Sequence, residues 1–332
     1  MERHRQVVLG ELERHLPIDS PANLYGLLGS YPRRPAKGLR PALCLATCRA
    51  LGGTEARAVN AAMAVELFHN GFLIHDDIQD ESQLRRGLPT LSAEHGVGIA
   101  LNVGNAMNLL GLQCLMEDRW QLGPGLAWRM LEQTELMMRH SLEGQALELV
   151  WIRDNVVDLR ADDYLRMCLK KTSWYTCLYP CRIGALIATS GRADASRFDR
   201  FGWYLGAAFQ IQDDLLNLTA DVSDYGKEIC GDLWEAKRTL MLIDLLAQAG
   251  RAERARLTTF LAKRRIERTP EEVAWVHRRI VERGCIDRAR NTAEELADAA
   301  QREVELAFAG APETDDLHFL RYLPRYVIQR TR

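Results

Sequence analysis

Apolar residues recur at helical spacing along nearly all of the 332 residues, and no alternating strand pattern with hairpin turns is present. This periodicity predicts an all-α protein, with a break between two helices at Gly123-Pro124-Gly125. The predicted helices run from Pro41 to Leu51 and over about 56–82, 92–117, 126–149, 161–190 and 195–218, followed by amphipathic helices over 250–305. Because no repeat and no long linker divides the chain, we expect a single domain.

The net charge and the distribution of apolar residues argue against two classes of protein, those that bind nucleic acid and those that span a membrane. A net charge of −2 and a pI near 6.5 argue against a nucleic-acid-binding surface. No apolar run approaches the roughly 18 residues that span a bilayer, and no apolar segment follows the charged N-terminus. We therefore expect a soluble, cytoplasmic protein without a transmembrane segment.

Eight cysteines are scattered along the chain. Cys44 and Cys48 are four residues apart, as are Cys177 and Cys181, but no CxxC pair or histidine cluster completes a zinc site. We expect buried, reduced thiols, as is usual in a reducing cytosol.

Two acidic clusters each follow a strongly apolar helical stretch. The first acidic cluster is IHDDIQD at 74–80, with LRRG at 84–87 behind it, and the second acidic cluster is FQIQDDLLN at 209–217. Burying a carboxylate costs several kcal/mol unless a cation neutralises it. One such cluster alone could be a solvated helix end, but two of them in apolar surroundings indicate a shared role in holding divalent cations.

Helical geometry separates the residues within each cluster. Asp76 and Asp80 are one turn apart on the same face, whereas Asp77 is offset by about 100°. Asp213 and Asn217 repeat that spacing, with Asp214 offset in the same sense. Oxygen ligands without His or Cys favour Mg²⁺, which takes one or two carboxylates together with phosphate oxygens. The two clusters are thus predicted to clamp a metal-bound diphosphate.

Taken with the segments around them, the acidic clusters resemble the trans-isoprenyl diphosphate synthases, the head-to-tail prenyltransferases. The matching segments are DDIQD (76–80) with LRRG (84–87), DDLLN (213–217), KGLRP (37–41), ELFH (66–69), KT (171–172), FQ (209–210), Lys227 and EAK (235–237). The resemblance implies an isoprenoid-synthase-type helical bundle with its active site in a central cavity. It also implies one polyprenyl synthase domain over 1–332, with 250–332 as peripheral C-terminal helices, and a homodimer.

Within the family, the chain is most similar to geranylgeranyl diphosphate synthases of the eukaryotic type. Segments at 144–145, 151–155 and 230–233 carry that likeness. Two departures from the wider family accompany it. Asn105 stands where many members have Asp, and Asn217 replaces the final Asp of the second motif, where it can still offer a neutral oxygen.

The resemblance implies roles for these residues. The allylic diphosphate would be bridged by Mg²⁺, three ions in the family, with catalytic roles for both Asp pairs, 76–77 and 213–214, and for Asp80. The metal ligands implied are Asp76, Asp80, Asp213 and Asn217. The side chains implied to contact the same diphosphate are Arg85, Lys171 and Lys237.

Isopentenyl diphosphate, the second substrate, needs a separate, metal-free anion site. The residues matching that site are Lys37, Arg40, His69 and Arg86, and Lys227 is a further substrate-binding candidate. Thr172 and Gln210 are expected to stabilise the path of the allylic cation that forms when the C–O bond breaks. The isopentenyl double bond then attacks the cation, and the departing pyrophosphate takes the proton, so no protein nucleophile is expected.

Product length is predicted from the residues one turn before Asp76, which are expected to line the tunnel for the growing chain. In the family, bulky residues there shorten the product. Phe72 is bulky and Gly71 is small, so overall likeness favours a C20 product while Phe72 favours C15. Two other readings stay open: a terpene cyclase on the same fold, and a regulatory subunit that pairs with an active synthase.

Overall fold

The computed structural model describes residues 1–17, 20–219 and 230–330, and the chain forms two compact units. Unit 1 comprises Met1–Met138, Tyr175–Gly202 and Arg302–Tyr322. Unit 2 comprises Arg139–Trp174, Trp203–Gln301 and Leu323–Arg332. The chain therefore passes between the units several times.

The described residues are almost entirely helical, which confirms the predicted fold class. The first half contains α1 (Glu2–His15), α2 (Ala22–Tyr25), α3 (Leu39–Ala50), α4 (Glu55–Gln79), β1 (Leu84–Arg85), β2 (Leu88–Pro89), α5 (Leu91–His95), α6 (Val97–Leu122) and α7 (Pro124–Arg153). The second half contains α8 (Ala161–Cys168), a π-helical segment (Leu169–Leu178), α9 (Tyr179–Ala188), α10 (Asp199–Thr219), α11 (Gly231–Trp234), α12 (Leu240–Gln248), α13 (Arg251–Ala262), α14 (Pro270–Glu282), α15 (Cys285–Ala307) and α16 (Asp315–Gln329), with short 3₁₀ turns at Ala195–Phe198 and Arg265–Glu267.

Helix α4 is the central helix of unit 1 and positions the first acidic cluster at its C-terminal end. It is apolar around most of its circumference, as is typical of a core helix. Two glycines allow α4 and α6 to approach closely. A Cβ added at Gly71 would lie 2.7 Å from Asn108 Oδ1, and one at Gly104 would lie 2.5 Å from His75 Nε2. A side chain at either position would push the facing side chain aside, so both glycines suit the close packing of the two helices.

The structure contains one short hairpin among the described residues, so the prediction that hairpin turns are absent is wrong there. β1 and β2 pair antiparallel, with Leu84 opposite Pro89. Arg86 (φ +54°) and Gly87 (φ +76°) form the two-residue connection, with the positive φ values of a type I′ turn. The turn gives the adjacent arginines different environments, since Arg85 is buried and Arg86 is half-buried.

Helix α6 bears on the expected absence of a membrane span. By length and composition it could cross a membrane, and no other helix among the described residues could. Its buried residues pack within unit 1, for example Val103, Met107 and Leu115. A core helix of a globular protein meets the same criteria, so the helix is weak evidence for a span.

Unit 2 contains helices α11 to α14. Thr269 and Glu272 form a capping box at the start of α14, as the Thr-Pro-Glu-Glu sequence leads one to expect. The inner faces of α12, α13 and α14 bury Leu245, Phe260 and Ile280 in a common core. All eight cysteines are free thiols and seven are buried, Cys230 being half-buried, so the prediction of buried thiols holds for seven.

Candidate active site

The middle carboxylate of the first acidic cluster is anchored inside unit 1. Asp77 is 1% exposed, and Arg85 donates to its Oδ1 from Nε (2.8 Å) and Nη2. Tyr31 Oη donates to Oδ2 at 2.5 Å. Although burial disfavours the charged guanidinium, Asp77 raises the pKa of Arg85 above its ordinary value. Asp77 and Arg85 are therefore a fully buried ion pair, and the guanidinium of Arg85 is directed at protein rather than at solvent.

Anchoring Asp77 fixes the orientation of its neighbours. Asp76 and Asp80 lie on the accessible side of α4 and are half-buried, in agreement with the predicted offset of Asp77. Arg34 holds the hairpin beside them by donating to the backbone oxygens of Arg85 (2.9 Å) and Pro89 (2.7 Å).

Arg40, His69 and Arg86 form a buried basic cluster in the same unit. Arg40 Nη1 lies 3.2 Å from His69 Nε2, and Arg40 Nη2 donates to Tyr175 Oη at 3.1 Å. A guanidinium can only donate, so Nε2 of His69 accepts and the ring proton is on Nδ1. That Nδ1 is buried without a hydrogen-bond partner among the described residues.

The electrostatics of the basic cluster favour an anion as its ligand. Burial lowers the pKa of Arg86 to about 10; Glu66 opposes this, and the guanidiniums of Arg85 and Arg40 add to it. Arg86 Nη1 is also buried without a hydrogen-bond partner in the described part of the chain. Burial and the neighbouring arginines hold the pKa of His69 well below its usual range, so His69 is a neutral donor rather than a cation. Lys37 is half-buried at the start of α3.

Tyr175 connects the basic cluster to the residues predicted to control product length. Its ring stacks on His69, with centroids 6.0 Å apart, and meets the edge of Phe72 at 5.4 Å. Phe72 is half-buried, whereas Gly71 is buried and faces α6. The small size of Gly71 is thus explained by helix packing.

The second acidic cluster repeats the anchoring in unit 2 with neutral partners. Asp214 is buried, and Tyr164 Oη donates to its Oδ2 at 2.7 Å. Gln210 Nε2 donates to its Oδ1 at 2.7 Å, and Gln210 Oε1 accepts from Thr172 Oγ1 at 2.7 Å. Burial raises the pKa of Asp214 to about 7 against these hydrogen bonds. Thr172 and Gln210 therefore belong to one hydrogen-bonded chain that ends on Asp214.

Asn217, which was predicted to be a metal ligand, is buried and already hydrogen-bonded. It is 3% exposed, and its Oδ1 accepts from the backbone N–H of Asp232 at 3.1 Å, at the start of α11. This contact engages the oxygen that was expected to face a metal. Asp213, by contrast, is half-buried with a side chain 35% exposed.

The predicted cations of unit 2 pair with acidic groups. Lys171 Nζ donates to Glu148, and Lys237 Nζ lies 2.7 Å from Glu235 Oε2. Gly144 brings α7 against the backbone of Lys171, since any Cβ there would lie 2.1 Å from its nitrogen. Lys227 lies outside the described residues.

The two acidic clusters offer few donor groups for a metal ion. Within 1–17, 20–219 and 230–330, no group of three or more His, Cys, Asp or Glu side chains is arranged to hold a metal ion. The accessible faces instead offer carboxylates in ones and twos, Asp76 with Asp80 and Asp213. Such a set suits Mg²⁺ when phosphate oxygens supply the remaining ligands, so the donor chemistry fits a hard cation.

Sequence reasoning missed three tyrosines in these networks: Tyr31, Tyr164 and Tyr175. Tyr31 and Tyr164 precede their carboxylate partners by 46 and 50 residues. A buried carboxyl needs donors, but nothing in the local sequence identifies which distant hydroxyl supplies one. Only Tyr175 carried a signal, because it follows the Lys-Thr pair by one turn.

Comparisons with known proteins identify the family. The polyprenyl synthetase family model matches residues 21–278. A geranylgeranyl diphosphate synthase of Saccharolobus solfataricus is 29% identical over 301 residues, covering 89% of this chain and 87% of the relative. A geranylfarnesyl diphosphate synthase of Aeropyrum pernix is 30% identical over 299 residues, covering 89% and 91%.

A solved structure extends the match to the fold. Polyprenyl synthase from Caulobacter crescentus, complexed with calcium and isoprenyl diphosphate, superposes with a TM-score of 0.86 at 25% identity, covering 100% of this chain and 95% of that one. Because the family model spans most of the chain, the chain belongs to the polyprenyl synthetase family.

Proposed function

We propose that this protein condenses isopentenyl diphosphate head-to-tail with an allylic diphosphate, releases pyrophosphate and forms geranylgeranyl diphosphate (C20). The observation that carries the proposal is the basic cluster of unit 1. Two arginines, Arg40 (buried) and Arg86 (half-buried), lie together there, and two donors, Arg86 Nη1 and His69 Nδ1, have no acceptor among the described residues. Orphaned buried donors are costly, so an anion is the natural occupant.

Isopentenyl diphosphate is the anion that we assign to the basic cluster. Arg40 and Arg86 supply charge, and planar guanidiniums suit phosphate oxygens. His69 is neutral and donates from Nδ1, while Lys37, which is half-buried, adds charge from the edge of α3. Lys227 is retained as a substrate-binding candidate on the family motif alone.

The allylic diphosphate is assigned to the accessible aspartates. We propose Asp76, Asp80 and Asp213 as ligands of Mg²⁺, with three ions carried over from the family and Asn217 as a weaker candidate. Bound Mg²⁺ would stabilise negative charge on the leaving pyrophosphate. Lys171 and Lys237 are proposed to leave their glutamate partners for the same diphosphate, and Asp77 and Asp214 to orient their neighbours.

The chain's own residues then organise the reaction. The allylic C–O bond breaks, the isopentenyl double bond attacks the resulting cation at C1, and a proton passes to pyrophosphate. Thr172 fixes the orientation of Gln210 by donating to it, which keeps the amide dipole in place beside Asp214. Arg85 contributes indirectly, since it holds Asp77 rather than substrate.

Product length is proposed to depend on Phe72. Its ring packs edge-on against Tyr175, so the pair forms a wall beside the basic cluster. Phe72→Ala should lengthen the product or leave it unchanged. A shorter product would remove Phe72 from this role, and Tyr175→Phe, which keeps the ring, is the matched control.

A homodimer is supported by the exposed face of α6. Val97, Leu101, Leu109, Met116 and Trp120 are 47–80% exposed and share one side of the helix. A contiguous apolar face of this kind marks an interaction surface, and a second copy of the chain is the proposed occupant. Light scattering should give twice the mass of the 37.6 kDa chain, and Leu109→Glu should give monomers.

Each unit is built from separate stretches of the chain, which supports one domain over 1–332 with 250–332 as its peripheral C-terminal helices. The buried free thiols support a reducing, cytoplasmic location.

Product analysis tests the proposal. Purified protein is incubated with Mg²⁺, isopentenyl diphosphate and each of the C5, C10 and C15 allylic diphosphates. Linear elongated diphosphates ending at C20 are expected, and products ending at C15 would correct the chain length alone. Cyclic hydrocarbons formed without consumption of isopentenyl diphosphate would indicate a cyclase. No turnover would overturn the proposal and favour a regulatory subunit.

A further inference from the structure

Arg330, which follows α16, lies against the second acidic cluster. Its side chain is 7% exposed, and its Nη2 donates to Asp213 Oδ1 at 3.1 Å and to the backbone oxygen of Phe209 at 3.1 Å. The guanidinium carbon lies 4.1 Å from the centroid of the Phe209 ring. One side chain thus makes an ion pair, a backbone hydrogen bond and a cation–π contact within the same cluster.

The backbone of Arg330 is held as well. Gln212 Nε2 donates to the backbone oxygen of Arg330 at 3.0 Å. Three of the residues between 209 and 213 therefore bind this arginine, by side chain and by main chain. The Nε of Arg330 is also buried, and it has no hydrogen-bond partner within the described ranges. The contact is therefore a built feature of unit 2 rather than a loose surface pair.

The chemical consequence concerns Asp213, and it rests on the proposed function, in which Asp213 is a metal ligand. An arginine cannot release its proton to make way for another cation. A divalent cation approaching this carboxylate meets a guanidinium already bound to one of its oxygens, and the two positive charges repel. We propose that Arg330 competes with the divalent cation for Asp213 and thereby lowers the metal affinity of the second acidic cluster.

Mn²⁺ titration of the full chain without substrate tests this competition, followed by calorimetry or by the electron paramagnetic resonance signal of free Mn²⁺. Arg330→Gln should tighten the weaker class of Mn²⁺ sites about fivefold, the scale of one ion pair. Asp213→Ala should abolish that class. Arg330→Lys keeps the charge and should stay near wild type.

Arg325→Gln is the matched control, because Arg325 is an exposed arginine of the same helix and the charge change is identical. Equal tightening in this control would reduce the effect to net charge and overturn the proposal, as would unchanged or weaker Mn²⁺ binding in Arg330→Gln. If Arg330→Gln does not fold by thermal melting, Phe209→Leu loosens the guanidinium without removing it. That variant should also tighten Mn²⁺ binding, and no change there would overturn the proposal.

The prenyltransferase assay separates this inference from the proposed function. Tighter Mn²⁺ binding in Arg330→Gln, with no prenyl product from wild type, would sustain the competition and remove the assigned reaction. Normal product formation with unchanged Mn²⁺ binding would do the reverse.

Discussion

The two acidic clusters are anchored alike but charged differently. In each, the second aspartate is buried and accepts from a tyrosine hydroxyl, Tyr31 for Asp77 and Tyr164 for Asp214. The remaining donor is a full cation, Arg85, in the first cluster and a neutral amide, Gln210, in the second. In each cluster one carboxyl is buried and its neighbour is accessible. The buried carboxyl has a cationic donor in the first cluster and a neutral donor in the second.

A neutral donor compensates a buried carboxylate less completely than a cation does. A buried cation compensates the carboxylate charge, so Asp77 has a fixed ion-pair partner. Hydrogen bonds from neutral groups only offset part of the burial cost, and the pKa of Asp214 rises to about 7. The first cluster is thus held by charge, and the second by hydrogen bonds around a carboxyl that is easily protonated.

The largest effect should come from the accessible face of the first cluster. Asp76→Ala is expected to lower kcat by about a thousandfold or more, because the leaving pyrophosphate loses electrostatic stabilisation. Steady-state product formation measures it, with an unchanged thermal melt as control. Near-normal activity would refute the idea of a metal clamp, whatever the state of Asp213.

Removing the two unlike donors tests the comparison directly. Arg85→Leu leaves Asp77 as an uncompensated buried charge and should cost about 3–5 kcal/mol of unfolding free energy. Gln210→Leu should cost only about 1–3 kcal/mol, because Asp214 can stay protonated. Guanidinium chloride unfolding at pH 6.5 measures both, with exposed Arg325→Gln as a control near zero. Equal losses would break the distinction between the clusters.

Asp118 on α6, outside the candidate site, is another buried carboxyl whose hydrogen-bond donor is a neutral amide. It is fully buried, Asn60 donates to it at 3.1 Å, and burial raises its pKa from 3.8 to about 7. Between these values the native state holds a proton that the unfolded chain has lost, so its contribution to stability falls as pH rises from about 4 to about 8.

Asp118→Asn should therefore make the protein more stable at pH 8 by about 2 kcal/mol while changing little at pH 5. Unfolding curves at the two pH values measure the difference. A variant with the wild-type pH slope would show that an amide donor suffices to keep a buried carboxyl ionised.

The smallest effect is expected at Asn217. A carboxylate oxygen can replace the amide oxygen that accepts from Asp232 N–H, so Asn217→Asp should keep the start of α11. Turnover should stay within about twofold of wild type, with stability within about 0.5 kcal/mol. Loss of activity with intact folding would show that the second cluster requires the neutral side chain.

Much of this arrangement follows from periodicity. The 100° helical offset separated Asp77 from Asp76 and Asp80 without saying which side faced inward, and the predicted helices agree with the observed ones to within a few residues at most ends. The hairpin at Arg86 was missed because two-residue strands have no alternation to detect. Its Arg-Gly pair with two positive φ values, and not helical phase, separates the neighbouring arginines.

The sequence did not identify the side chains that contact these carboxyls, and the reason is different. Tyr31, Tyr164 and Arg330 contact their carboxyls across 46 to 117 residues of sequence. Periodicity assigns a residue to a face but does not say which distant side chain meets it. The family resemblance predicts substrate-binding positions, yet it gave no indication that Arg85 would be directed at Asp77 or that His69 would be neutral.

The π-helical segment Leu169–Leu178 has a consequence for comparing this chain with others. Such winding accommodates one more residue than an α-helix over the same span, so a relative lacking one residue here could rewind the segment as ordinary α-helix without losing the helix. Because the extra residue is taken up within the segment, α9 after it would keep its facing, whereas Thr172 and Tyr175 inside it would turn relative to each other. A one-residue gap aligned inside this stretch therefore changes which way the residues of the segment face and leaves the match of the residues after it unchanged.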